Sequence, residues 1–183
     1  MSKLLKLWFW LLLHIQARSN RVKYGKGLRG NRVILKNKGK IILGNNVNLN
    51  SYPDGDLYKT GLITYLPDSK IIIGNNCNLN GTMIHSNISV KIGNHCMFGP
   101  GTKIIDNDSH RISIDISERR KPPVRKPIEI GDNVWVGMNS LILKGVKIND
   151  NSVVAAYSVV TKDVPKNVLI AGNPAKIIKH LNE

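Results

Sequence analysis

Histidine titrates nearest neutral pH of any side chain and is the usual general base for activating a hydroxyl. The chain has five, His14, His85, His95, His110 and His180. His14 lies in the apolar N-terminal stretch and His180 close to the last residue, and both read as solvated. His95 takes a place that related segments fill with Asn or Asp, which reads as a turn position. Two candidates remain. His85 stands in Gly-Thr-Met-Ile-His-Ser-Asn, and His110 follows Asp106-Asn107-Asp108-Ser109. A carboxylate at Asp106 or Asp108 would hold an imidazole in one tautomer; the same residues are also ordinary turn formers, and both readings stand. Cys77 and Cys96 belong to no Cys-x-x-Cys pair and no Cys/His cluster at zinc spacing. They read as small buried hydrophobes in a reducing compartment, and no metal is expected.

The elements that must position these residues are set by a period of six. Ile130, Val136, Ile142, Ile148, Val154 and Val160 recur every sixth residue, and Val134, Ser140, Val146, Ser152, Ser158 and Val164 keep a small or β-branched residue four places later. Neither a 3.6-residue helix nor a two-residue strand alternation has this period. A chain that turns a corner every six residues does, and the pattern predicts an all-β solenoid of hexapeptide repeats. Leu43 to Asn48, Ile73 to Asn78 and Ile92 to Met97 repeat it, with Gly-Asn-Asn or Gly-Asn-His at the corners, where a positive φ is needed.

Two segments break the rhythm. Residues 51–60 carry Pro53, Asp54 and Gly55 and read as an excursion from the coil. The second break, an extended loop near 106–129, contains His110 and the basic run Arg119, Arg120, Lys121, Arg125 and Lys126; long loops on rigid scaffolds tend to carry sites. At the end, Pro174 followed by Ala-Lys-Ile-Ile-Lys-His-Leu predicts a short C-terminal helix capping the solenoid.

Residues 1–24 form a separate N-terminal amphipathic helical segment, and 25–183 the repeat domain. The apolar run is too short to span a bilayer, and no small-residue cleavage site follows it. With Lys3, Lys6, Arg18, Arg21 and Lys23 about it, residues 1–20 are expected either to lie in a membrane headgroup layer or to pack on protein, at the solenoid's end or on a neighbouring subunit. The net charge of +15 calls for anionic partners: a membrane surface, or a phosphorylated cofactor or substrate. Nucleic acid is not expected, because no aromatic-interleaved basic stripe or recognition helix is present.

Three motifs, Ile-Gly-Asp-Asn-Val-Trp-Val-Gly at 130–137, Ser-Val-Val-Thr-Lys-Asp-Val-Pro at 158–165 and Ala-Gly-Asn-Pro-Ala-Lys at 171–176, resemble the hexapeptide-repeat acyltransferases. The resemblance covers most of the chain. It is nearest to the maltose/galactoside-type and polysaccharide-biosynthesis O-acetyltransferases. It implies a left-handed parallel β-helix, a homotrimer with active sites between subunits, and acetyl-CoA as co-substrate. It matches the catalytic histidine to His110. The acetyl-CoA site is matched to Trp135, Met138, Ala156, Thr161, Lys162 and Lys176, with Met138 where relatives have a smaller polar residue and Lys176 where they often have Arg. Acceptor contacts fall near Asn78, Asn80 and Asn87.

The function so implied is acetyl-CoA-dependent O-acetylation of a sugar hydroxyl, on a saccharide or polysaccharide precursor, by direct transfer with a histidine base. The chain would work in the cytoplasm, or peripherally at the inner face of the membrane. The alternatives are N-acetylation of a nucleotide-linked amino sugar, and a non-catalytic or zinc-binding β-helix; the latter needs three suitably spaced histidines, a spacing that this sequence does not show.

Overall fold

The structure, a computed structural model, describes residues 2–51 and 58–181. Pro53, Asp54 and Gly55 lie outside the described residues.

As far as Val159–Val160, strands of two to four residues wind in strict rotation round three sheets, pairing in parallel. In one coil, Ile128–Ile130 lies on the first sheet, Trp135–Val136 on the second and Leu141–Leu143 on the third. The next coil repeats the order with Lys147–Ile148, Val153–Val154 and Val159–Val160, stacked in parallel register on the coil before. This is a parallel β-helix, and the period of six is its cause. Each face takes one inward aliphatic, so Ile130, Val136, Ile142, Ile148, Val154 and Val160 are all buried. The small residue four places on turns into the corner. Thr60, Thr82, Thr102, Ser140 and Ser158 fill one inner corner, and Val47, Cys77, Cys96, Val134 and Ser152 another. Both cysteines are therefore buried thiols, unbridged in the corner core.

The outer side of that second corner is an amide ladder. The side-chain oxygens of Asn75, Asn94, Asp132 and Asp150 accept from the backbone N–H of Asn45, Asn75, Asn94 and Asp132 on the preceding coil, at 2.7–2.8 Å. The following residue takes a positive φ: 56° at Asn46, 57° at Asn76, 58° at His95, 53° at Asn133 and 59° at Asn151. His95 is one of these corner residues.

Helix α1 (Lys3–Ser19) closes the first end of the solenoid, with Leu13 and Ala17 inserted into the core. Gln16 Oε1 accepts from Leu35 N at 2.7 Å, tying the helix to the first coil. The first strand of that coil, Lys23–Tyr24, already pairs with Lys40–Leu43, so the solenoid begins inside the 1–24 segment. His14 is not solvated: its Nδ1 lies 3.0 Å from Tyr24 Oη, and its ring leans on Trp10. Burial, then Arg18, holds its pKa below the usual imidazole value.

The other end corrects the expected C-terminal helix. Val168–Gly172 adds to the second sheet, and Ala175–His180 returns antiparallel beside it as a β-hairpin. Gly172 takes φ 105° at the turn. The physical reason is the sheet edge: the last strand offers a row of unpaired backbone groups, and an antiparallel return satisfies them where a helix would not.

Candidate active site

The second break in the rhythm leaves the solenoid after Lys103–Ile105 and rejoins it at Ile128–Ile130. Its two stems are zipped together. Asn107 and Arg125 form an antiparallel bridge, Asp108 N donates to Val124 O at 3.1 Å, and Lys126 N donates to Asp106 O at 3.0 Å. His110 stands just beyond this stem. An Asx turn sets it there: Ser109 N donates to Asn107 Oδ1 at 2.9 Å, Ser109 takes φ 62°, and His110 N donates to Asp108 O at 2.7 Å. The His110 ring is exposed. A short helix, α2 (Ile116–Arg119), lies in the tip.

The two aspartates have separate work. The Asp106 carboxylate is fully buried and points back into the corner before the loop. It accepts from Asn87 N at 2.7 Å, Ile88 N at 2.8 Å, Ser89 N at 2.9 Å and Ser86 Oγ at 2.9 Å. Asp108 Oδ1 is 2.6 Å from Lys144 Nζ, pinning the stem to the next coil. Neither carboxylate holds the His110 ring, which corrects the expectation of a tautomer-fixing partner. Asp106 is a corner brace, because four convergent donors at one buried corner need a full carboxylate. Lys144 is not a candidate on sequence grounds, since nothing local signals a partner 36 residues away; Arg125, of the basic loop run, serves through its backbone in the stem.

His85 is differently placed. It lies on the outside of the third sheet between Ile63 and Ile105, with Nδ1 2.7 Å from Tyr65 Oη and the two rings stacked 5.7 Å apart. Burial, then the Lys103 charge, lowers its pKa, while Asp106 partly opposes this. The folded chain therefore prefers neutral His85. The stabilisation is present above pH 6.5, where the unfolded imidazole is neutral too, and is lost as pH falls through the lower folded-state value. Urea titrations at neutral and mildly acidic pH should show this slope, and His85→Gln should flatten it in part, with His14 supplying the rest. An unchanged slope in that variant would remove His85 as a source.

The matched co-substrate residues are spread over a sheet face, two corners and the terminal hairpin. Trp135, 53% exposed, stands outward on the second sheet, and Met138 and Ala156 follow at the next corner. There Gly137 runs so close to the following coil that a Cβ on it would stand 2.5 Å from Ala156 N. Thr161 and Lys162 lie one face away, at the corner from which the His110 loop departs, and both are exposed. Lys176, also exposed, sits in the terminal hairpin opposite Ala171. Of the matched acceptor residues, Asn78 and Asn80 lie on the second sheet in ladders with Asn48 and Asn50, away from the loop. Asn87 is at the loop root, and its Oδ1 is buried without a hydrogen-bond partner. Among the described residues, no three His, Cys, Asp or Glu side chains gather as a metal would require.

Residues 127–162 match the family described as bacterial transferase hexapeptide (six repeats). Galactoside O-acetyltransferase of Lactococcus lactis is 38% identical over 111 residues, 56% of this chain and 53% of the relative. Over this stretch the chain is similar to the hexapeptide-repeat transferases. A second relative, the 2,3,4,5-tetrahydropyridine-2,6-dicarboxylate N-acetyltransferase of Clostridium perfringens, is 56% identical over 63 residues, 34% of this chain and 27% of the relative. Among solved structures, a hexapeptide-repeat acetyltransferase from Vibrio cholerae complexed with acetyl coenzyme A superposes with a TM-score of 0.55 at 26% identity, covering 98% of this chain and 84% of that one. The match spans about half of the first curated relative's length and about a quarter of the second's.

Proposed function

We propose that the chain is an acetyltransferase that moves acetyl from acetyl-CoA to a hydroxyl of a saccharide or polysaccharide precursor. The observation that carries this is His110: an exposed imidazole with no hydrogen-bond partner among the described residues, fixed by its backbone at the root of a braced loop on a rigid solenoid. In this reading His110 takes the proton as the acceptor oxygen attacks the acetyl carbonyl carbon. When the carbon–sulfur bond breaks, the same imidazolium returns its proton to the departing sulfur. Backbone N–H groups stabilise the developing oxyanion.

The residues fit such a co-substrate. A bare corner at Gly137 and Ala156 lets an extended pantetheine arm lie against backbone, Trp135 and Met138 offer apolar contact, and Lys162 and Lys176 offer charge to phosphates. Because Trp135 and Ala156 stand a face away from His110, one chain does not gather the whole set. A homotrimer gathers it, with the loop of one copy meeting the corner of the next. Ile112 and Ile114, 89% and 97% exposed in the loop, are available for such a contact. The same reading makes the solenoid left-handed, the hand the family resemblance implies, and the enzyme cytoplasmic.

The N-acetyltransferase among the relatives supports a second reading, in which the acceptor is an amine. One assay covers both: free-thiol release from acetyl-CoA over a panel of sugars, oligosaccharides and nucleotide-linked amino sugars, with the oligomer mass measured by sedimentation. The O-acetyl reading expects turnover on hydroxyl acceptors and three chain masses. Turnover on amino sugars alone selects the second reading, and failure to bind acetyl-CoA by calorimetry rejects both.

A further inference from the structure

Helix α1 has an inner side and an outer side of opposite roles. Leu13 and Ala17 are buried in the solenoid end, whereas Leu4, Leu7, Trp8, Leu11, Leu12 and Ile15 are all exposed. At 100° per residue these six share one side of the helix, turned away from the coils. No charged residue occurs between Lys6 and Arg18, so the outer side is an unbroken apolar stripe. A surface of this kind is seldom left to water.

Charge supplies an independent observation. The first 53 residues carry eleven Lys and Arg and no Asp or Glu, a net +11, against +4 for the remainder. These cations are placed about the helix. Lys3, Lys6 and Arg18 bound its apolar stripe, and Lys23, Lys26, Arg29, Lys36, Lys38 and Lys40 are exposed on the first coil and the start of the next. On the helix flank, a cleft of 380 Å³ brings Lys6, Trp10 and Arg29 together with the amides of Asn31 and Asn48, a donor set suited to a phosphodiester headgroup.

A second copy of the same end is a poor occupant, because pairing would bring two cation-rich ends face to face. A bilayer rich in anionic lipid satisfies the apolar stripe and the cations at once. No helix among the described residues is long and apolar enough to cross a membrane, and a 17-residue helix of this kind lies in the interface plane.

We propose that the α1 end of the solenoid docks on an anionic phospholipid bilayer. Leu4, Leu7, Trp8, Leu11 and Ile15 enter the headgroup–acyl boundary, and the first-coil cations face the lipid phosphates. The solenoid then stands on the membrane, with the His110 loop three coils away, roughly 15 Å at the usual strand spacing. That height suits an acceptor presented on a lipid carrier. This last step rests on the acetyl-transfer reading; the docking does not.

The test is co-sedimentation of the full chain with vesicles of phosphatidylcholine alone and of phosphatidylcholine mixed with phosphatidylglycerol. Binding to the mixed vesicles should be stronger by about tenfold or more and should weaken with added salt. The variant Leu7→Ser/Trp8→Ser/Leu11→Ser should lose about tenfold or more of that affinity without a lower melting temperature, since these side chains touch solvent in the fold. Lys23→Gln/Lys26→Gln/Lys38→Gln should lose the preference for anionic lipid. Trp8 fluorescence, read with Trp10 and Trp135 replaced by Phe, should shift to the blue on binding. No binding to mixed vesicles, or undiminished binding by the triple-serine variant, overturns the proposal. So does a wild-type chain that ignores vesicles while the triple-serine variant loses self-association, which would assign the stripe to contacts between copies. Because no arm measures turnover, failure here leaves acetyl transfer untouched, and loss of turnover leaves the docking untouched.

Discussion

Alanine at His110 is expected to lower acetyl-CoA turnover by about two to four orders of magnitude, the usual contribution of a positioned general base. The imidazole makes no hydrogen bond among the described residues and is exposed, so its removal should shift stability by no more than about 0.5 kcal/mol. Acetyl-CoA affinity should hold as well, because the matched binding residues sit on the solenoid. The comparison that gives this result meaning is His85→Ala. His85 is bound to Tyr65 on a sheet face, and its loss should leave turnover within severalfold of the parent. Steady-state kinetics with calorimetry on both variants separates the cases. Near-normal turnover in the His110 variant would remove the residue from the mechanism.

Asp106→Ala should be the most destabilising single change at the site, by about 3–5 kcal/mol, read from urea unfolding. The carboxylate is fully buried and receives three backbone N–H groups and the Ser86 hydroxyl. Each buried donor left unpaired costs about 1–3 kcal/mol, less where water enters the gap. Turnover should fall too, because the His110 loop departs from this corner, but added stabiliser should recover part of it. Asp108→Ala offers the contrast. Its ion pair with Lys144 is partly exposed, so the stability cost should be about 1 kcal/mol or less. Equal costs for the two variants would show that Asp106 is not the brace its contacts describe.

The contrast between these two aspartates is set by tertiary contacts and not by local sequence. Asp106 and Asp108 stand two residues apart in the same Asp-Asn-Asp run, and each was equally a candidate to orient His110. Their roles separate only when the corner at Ser86–Ser89 and the coil bearing Lys144 are folded against them. The terminal segment failed for a related reason. Pro174 and the residues after it have the marks of a helix start, yet the chain forms a strand, because the neighbouring sheet edge offers unpaired backbone groups that no local pattern displays. Local sequence leaves His14 looking solvated because its partner, Tyr24, belongs to the first coil.

By contrast, the hexads were legible residue by residue. A side chain's inward or outward direction, and the positive φ at Asn46, Asn76, His95, Asn133 and Asn151, follow from local geometry repeated every six residues. The sequence by itself thus determined the solenoid, its corners, the interruption that carries His110, and the apolar, cationic start of the chain. Only the tertiary structure decided which aspartate braces the loop, that Trp135 and Ala156 stand a face away from His110, and that the apolar side of α1 is turned outward. The division has one cause: periodicity is a property of neighbours along the chain, whereas pairing across coils depends on residues that sequence distance keeps apart.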